Sequence, residues 1–230
     1  FMDDRLLLTL GARHQTLKTE DYDYNGQTGL IGKYDDSEIT PAIGAVYKLT
    51  EEFAIYANYI ESLTKGDTAD STTQTNSGSN VTVVNAGESF APYVSEQKEI
   101  GLKYETNSFG AGLAYFTTSK PRSFMDKSNP DRPVFRQSGE DEHQGVELTL
   151  YGKATDDLKL LGGVTWLDAK QKDTGDSSID DNRVIGVAKW QATVGAEWEV
   201  PSVNGLALDG RVNYTGSRYA DDANTLKVDG

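Results

Sequence analysis

The feature that most constrains this sequence is a two-residue rhythm of apolar and polar side chains, recurring over stretches of about ten residues. Leu6, Leu8, Leu10 and Ala12 alternate with Thr9, Gly11, Arg13 and Gln15. The pattern returns with Ile43, Ala45, Tyr47 and Leu49 against Ala42, Gly44 and Lys48, and with Ile100, Leu102 and Tyr104 against Glu99, Gly101 and Lys103. Phe109 to Tyr115, Val146 to Leu150, Trp190 to Trp198 and Leu206 to Tyr214 repeat it. Successive side chains of a strand point to opposite faces, so each stretch reads as a strand with one apolar and one polar face. Apolar residues at helical spacing are almost nowhere found. The segments 53–62 and 158–168 alternate less cleanly but are rich in Tyr, Ile, Leu and Trp. The rhythm predicts an all-β chain of about nine strands, each long enough to cross a bilayer when tilted.

The connections sharpen this. Residues 50–52, 106–108, 154–157 and 201–204 read as tight turns, and polar excursions near 17–38, 64–93, 119–140 and 169–188 as long loops. Short and long alternate. In an antiparallel up-and-down meander, every other connection emerges at the same rim, so one rim carries turns and the other carries loops. That segregation, with Tyr47, Tyr104, Tyr115, Tyr151, Trp166, Trp190, Trp198 and Tyr214 near strand ends, predicts part of a large transmembrane β-barrel with interfacial aromatic girdles. The competing reading is a soluble acidic β-sandwich binding module, whose two apolar faces would pack together. Within the long loops, Asp67 to Asn80 is almost entirely small and polar, and is expected to bury too little to order itself.

Charge and composition narrow the partners. Lys+Arg 22 against Asp+Glu 36 gives a net charge of −14, which repels phosphate backbones and argues against nucleic acid. With Cys 0, disulfide frameworks and thiol chemistry are excluded. No apolar run approaches the roughly 18 residues of a membrane helix.

Several short patterns resemble the barrel of TonB-dependent ferric-siderophore receptors. Tyr47-Lys48, a tight turn and Tyr56 to Tyr59 follow one another as in that family. Its Pro-x-x-Ser-x-Gln-x-Glu-x-Gly-x-Lys segment is matched by Pro92, Ser95, Gln97, Glu99, Gly101 and Lys103, and its Gln-Gly-Val-Glu strand start by Gln144 to Glu147. Gly186-Val187-Ala188-Lys189 departs from it, because the family usually has Pro before the Lys. The resemblance implies a non-enzymatic importer in a Gram-negative outer membrane, contacting lipid, binding ferric siderophores and driven by the TonB complex. It also implies parts not seen here: an N-terminal plug domain, an energy-coupling box and a barrel of roughly 22 strands. Residues 1–230 are therefore expected to be a middle-to-late barrel piece that contacts TonB only through those missing parts. A passive porin or a β-barrel adhesin is the alternative within the same architecture.

In the resembling family, chelates sit on aromatic side chains at the extracellular mouth, with Arg helping when the chelate is anionic. Flat, partly apolar chelates gain from rigid aromatic contact area. That marks Tyr22, Tyr24, Tyr93, Phe124 and Arg122 as candidate ligand-binding residues, from a rim that also holds Tyr34, Phe90, Arg132 and Arg136. No resident cofactor is expected. Asp21, Asp23, Asn25 and Gly26 copy the first half of a calcium loop, but the carboxylate due at its twelfth position is Gly32, so a solvated acidic loop is the favoured reading. His14 and His143 lie far apart without a nucleophile motif, and Glu96, Glu99 and Glu147 read as channel lining rather than as a hydrolytic pair. Cut from its barrel, such a chain would carry two raw strand edges, near Leu6–Gln15 and Leu206–Thr215, and is expected to self-associate through them.

Overall fold

A computed structural model describes residues 5–23, 29–74 and 78–230. Their strands are β1 (Leu6–Tyr22), β2 (Leu30–Lys48), β3 (Phe53–Thr64), β4 (Thr72–Gln74) and β5 (Asn80–Thr82). There follow β6 (Tyr93–Glu105), β7 (Phe109–Asp126), β8 (Val134–Lys153) and β9 (Leu158–Lys172). The last are β10 (Trp190–Glu199), β11 (Ala207–Thr215), β12 (Arg218–Tyr219) and β13 (Lys227–Val228). Nine of them form one antiparallel sheet in the order β1-β2-β3-β6-β7-β8-β9-β10-β11, and β4-β5 and β12-β13 are two small hairpins. There are no helices among the described residues.

The register turns the alternation into continuous bands. One row runs Leu6, Tyr47, Ile55, Leu102, Leu113, Leu148, Val164, Ala192, Tyr214, a single residue from each of the nine strands. The adjacent row on that face runs Leu8, Ala45, Ala57, Ile100, Tyr115, Val146, Trp166, Trp190. One step further the same face turns polar from β6 to β9, with Lys98, Thr117, Gln144 and Asp168 paired in sequence, while Leu10, Ile43 and Tyr59 continue the apolar row on β1 to β3. From β6 to β9 the aromatic row thus marks a sharp edge between an apolar band and a polar collar. The opposite face carries Gln191, Thr165, Glu147, Ala114 and Gly101 in one row.

Among the described residues no second sheet covers the apolar band. Leu10 is 80% and Val212 72% exposed, and Leu8, Ile43, Ile100, Leu113, Val194 and Leu208 are exposed with them. The buried hydrophobic residues among those described are few: Tyr34, Ala69, Val83, Tyr93, Ala169 and Ala188. Leaving several hundred Å² of such a face in water costs of order 10 kcal/mol. This overturns the sandwich reading, which needed two facing sheets.

All four expected tight turns lie at one end of the sheet, joining β2 to β3, β6 to β7, β8 to β9 and β10 to β11. Two share one device: Thr50 Oγ1 accepts from the amides of Glu52 (3.2 Å) and Phe53 (3.0 Å), and Thr106 Oγ1 from that of Phe109 (3.1 Å). At the other end the expectation needs correcting. Most of 17–38 and 119–140 is strand, since β1 and β2 stay paired to Tyr22 and Leu30, and β7 and β8 to Asp126 and Val134. β8, at 20 residues, spans about 66 Å, roughly twice the hydrocarbon thickness of a bilayer. Beyond the membrane both faces are wet, so pairing continues while the apolar rhythm stops.

Residues 65–92 also differ from expectation. β4 and β5 pair, Ala69 and Val83 are buried, and the amide of Ala69 donates to the carbonyl of Glu88 (2.8 Å). The side chain of Asn85 clamps Phe135 on β8, donating to its carbonyl and accepting from its amide, both at 2.9 Å. Order here comes from docking on β8, which the local composition does not encode. Of the aromatics expected in the girdles, Tyr151 lies instead on the opposite face, over Gly110.

Candidate ligand-binding mouth

On the face away from the apolar band, at the long-loop end, the sheet forms a cleft of about 510 Å³. Its charged lining is Lys65, Asp67, Lys120, Arg122, Asp141 and Asp222, with Tyr93 on its wall. The strand register explains the convergence: Tyr93, Arg122 and Asp141 share a face with Glu99, Phe116 and Glu147. Asp222 is brought in by the segment between β12 and β13. The volume lies within the usual range of small-molecule sites.

Of the five residues marked from the sequence, the cleft unites two. Tyr93 is nearly buried, donates its hydroxyl to Asp67 Oδ2 (2.6 Å), and meets the Ser123 hydroxyl. Arg122 is held by three partners: Asp141 Oδ1 (3.2 Å), Asp222 Oδ1 (3.4 Å) and the side-chain carbonyl of Gln171. Phe124 packs under the loop after β9, where a Cβ on Gly175 would lie 2.1 Å from its ring. Tyr22 sits at the far tip of β1, exposed and bonded to Glu20 (2.7 Å). Tyr24 lies outside the described residues, as does Asn25 of the half calcium loop.

Gln171 and Asn224, which organise the mouth, were not singled out from sequence. Gln171 is fully buried; its amide donates to the carbonyls of Arg183 and Asp222, both at 3.1 Å, while its oxygen receives Arg122. Asn224 caps Arg183 from both sides, accepting from its amide (2.8 Å) and donating to its carbonyl (2.9 Å). These bonds fasten the 173–189 loop and the 216–226 segment to β7 and β9. Tyr34, also buried, accepts from the Gly66 amide (3.2 Å) and carries the Lys65 ammonium over its ring (5.4 Å). Such partners span up to 100 residues of sequence, so no local spacing reports them.

Lower on the same face, Tyr56 donates to Glu99 (2.6 Å), Gln97 donates to the other oxygen of Glu99 (3.3 Å), and Lys103 lies 4.8 Å over the Tyr56 ring. Glu99 is thus part of a satisfied network on the inner wall, in keeping with channel lining.

An exposed apolar band, turns at one rim, long strands and loops at the other, and a polar inner wall are the features of an outer-membrane β-barrel. The chain belongs to the TonB-dependent receptor-like β-barrel family, whose model matches residues 1–230. Members are outer-membrane proteins of Gram-negative bacteria, and they are receptors and transporters. The chain is 37% identical over 227 residues to the ferrichrome receptor FcuA of Yersinia enterocolitica, covering 99% of this chain and 29% of that receptor. It is 28% identical over 230 residues to the ferrichrome outer membrane transporter/phage receptor of Escherichia coli strain K12, covering 98% of this chain and 28% of that protein. Among solved structures, BauA, the ferric preacinetobactin receptor from Acinetobacter baumannii, superimposes with a TM-score of 0.81 at 35% identity, covering 100% of this chain and 32% of that one. The chain therefore spans about a third of the length of these relatives.

Proposed function

We propose that this chain is part of the barrel wall and extracellular mouth of a receptor that binds ferric siderophores and imports them with energy from the TonB complex. The observation that carries this is the 37% identity to a ferrichrome receptor along nearly the whole chain. A ligand-sized cleft on the inner wall at the long-loop rim supports it. In this reading residues 1–230 are one section of the barrel domain, and the complete protein supplies the plug and the coupling segment. The cleft is the part of this chain that meets the chelate, through Tyr93 and its neighbours, and no catalytic step is involved. The half calcium loop plays no part. The family membership speaks against a passive porin or an adhesin.

The test is uptake of radiolabelled iron by cells carrying the full-length gene and lacking other siderophore receptors. Uptake that requires both the gene and TonB supports the proposal. Equal uptake without TonB would return the protein to the porin class.

A further inference from the structure

On the outer face of the wall, where β6 to β10 pass from the apolar band to the polar collar, two hollows adjoin. Val146, Leu148, Val164, Trp166 and Trp190 line a groove of about 370 Å³, and every one of them is apolar. Trp166 pairs with Val146 on one side and Trp190 on the other, so the two tryptophans stand together at the collar end of the groove. Ala192, beside Val164 on the same face, adds little bulk. Next to the groove lies a polar pocket of about 450 Å³, whose charged lining is Glu96, Lys98, Glu140, Glu142, Asp168 and Lys170. The two share an edge: Val146 and Trp166 stand two residues from Gln144 and Asp168, which pair with each other. Tyr115 crosses that edge, donating its hydroxyl to Gln144 (3.3 Å). An occupant of both hollows must be amphipathic, with a hydrocarbon tail and a polar head.

The pocket's unmet groups decide the head. Lys98 is taken up by Glu96 (3.3 Å) and the Tyr59 ring (5.8 Å). Glu140, Glu142, Asp168 and Lys170 make no side-chain hydrogen bond or ion pair among the described residues. A phosphate there would meet three carboxylates against one ammonium and be repelled. Sugar hydroxyls donate to carboxylates and accept from an ammonium, and they bring no charge. We propose that this face seats one glycolipid, with an acyl chain in the groove and the sugar head in the pocket. The pocket lies on the long-loop side of the groove, which assigns the lipid to the outer leaflet. The seat is separate from the mouth and independent of the cargo taken there.

The experiment uses the full-length receptor, stripped of lipid in a polyoxyethylene detergent that carries no sugar. It is titrated with a diacyl diglucosyl glycerol and with a phosphatidylethanolamine of the same acyl chains, and bound lipids are counted by native mass spectrometry. One glycolipid should be retained per receptor, at about tenfold lower concentration than the phospholipid, the difference that one charge-assisted hydrogen bond makes. Val164→Trp fills the groove and should weaken both lipids several-fold. The double variant Glu142→Ala, Asp168→Ala should weaken the glycolipid alone several-fold. Both changes fall on the sheet surface, and circular dichroism checks that the strands persist. Phospholipid retained as well as glycolipid overturns the sugar assignment, as does a double variant that holds glycolipid like the parent. Lipid counts that vary and ignore both variants would show an ordinary lipid shell and overturn the seat.

Discussion

The ring of Tyr56 on β3 lies flat over Gly101 on β6, so close that a Cβ at position 101 would sit 2.4 Å from Cε1 of the ring. The same arrangement recurs on the inner wall with Phe116 over Gly145 and Tyr151 over Gly110. In each case a glycine leaves a flat patch of backbone that a neighbouring strand's aromatic covers, compensating for the missing side chain. Gly101→Val must then push the Tyr56 ring aside and stretch its bond to Glu99. Overpacking of this kind costs about 1–3 kcal/mol. Denaturant titration of the full-length receptor should show that loss, and combining the change with Tyr56→Ala should recover part of it. An additive double variant would mean that ring and glycine do not act together.

The apolar band makes a sharper prediction about sidedness. Leu113 on β7 sits mid-band facing out, while Thr149, on β8, sits at nearly the same height facing in. Arg at a lipid-facing midplane position costs about 2–4 kcal/mol, whereas lumen positions tolerate it. Leu113→Arg should therefore destabilise the receptor folded in phospholipid vesicles by that amount, and Thr149→Arg by far less. Equal costs would mean that the face is not lipid-exposed.

Residues 1–230 purified alone present the same band, and two sheet edges at β1 and β11. Without detergent they should sediment as oligomers, because unpaired edge groups and exposed apolar area both favour association. A compact monomer at micromolar concentration would contradict this.

How far the sequence foretold this structure depends on which force shapes each part. β10 was legible at once, since Trp190, Ala192, Val194, Ala196 and Trp198 lie on the apolar face while Gln191, Thr193 and Glu197 lie on the other. The outer halves of β1, β2, β7 and β8 were not, because two wet faces leave no apolar rhythm. The docking of 65–92 was hidden for another reason: Val83 is 1% exposed in a segment whose Val84 amide and Asn85 side chain bond to Pro133 and Phe135, some 50 residues away. At the mouth, Tyr93 and Arg122 could be marked by residue type alone. That Arg122 is neutralised could not, since Asp222 lies 100 residues away.

Acid should loosen the hairpin that delivers Asp222. The Asp221 carboxylate accepts from the amides of Thr225 (3.0 Å) and Leu226 (2.7 Å) and from the Thr225 hydroxyl (2.7 Å). These bonds, the Leu226 amide foremost, hold its pKa below the ordinary carboxylate value of about 3.9. A lowered folded pKa means the stabilisation is fully present above the ordinary value and is lost as pH falls through the folded one. Protection of the Thr225 and Leu226 amides from hydrogen exchange, corrected for intrinsic rates, should thus hold down to about pH 4 and drop below it. Asp221→Asn should remove that pH step. Protection that stays constant into strong acid would show that the carboxylate does not hold the turn.

The buried amide of Gln171 is where the two mouth segments depend on the barrel. Its nitrogen serves the carbonyls of Arg183 and Asp222, its oxygen serves Arg122, and its backbone amide donates to the carbonyl of Asn182 (2.8 Å). Gln171→Leu preserves much of the volume and the backbone bond but strips all three side-chain bonds. The Arg183 carbonyl keeps Asn224, the Asp222 carbonyl keeps Asn182 and Arg122 keeps its two carboxylates. Each lost bond therefore costs about 0.5–1.5 kcal/mol rather than the full cost of a buried group left unpaired. Because these partners lie outside the lipid-facing band, the loss should fall on the mouth and spare the membrane section. Limited proteolysis of the full-length variant should cleave within 173–189 and 216–226 well before the parent is cut. Denaturant unfolding of the barrel should shift by no more than about 0.5 kcal/mol, the scale of a substitution away from the cooperative core. Unchanged resistance at both segments would show that the loops are held by their own contacts, with Gln171 a bystander.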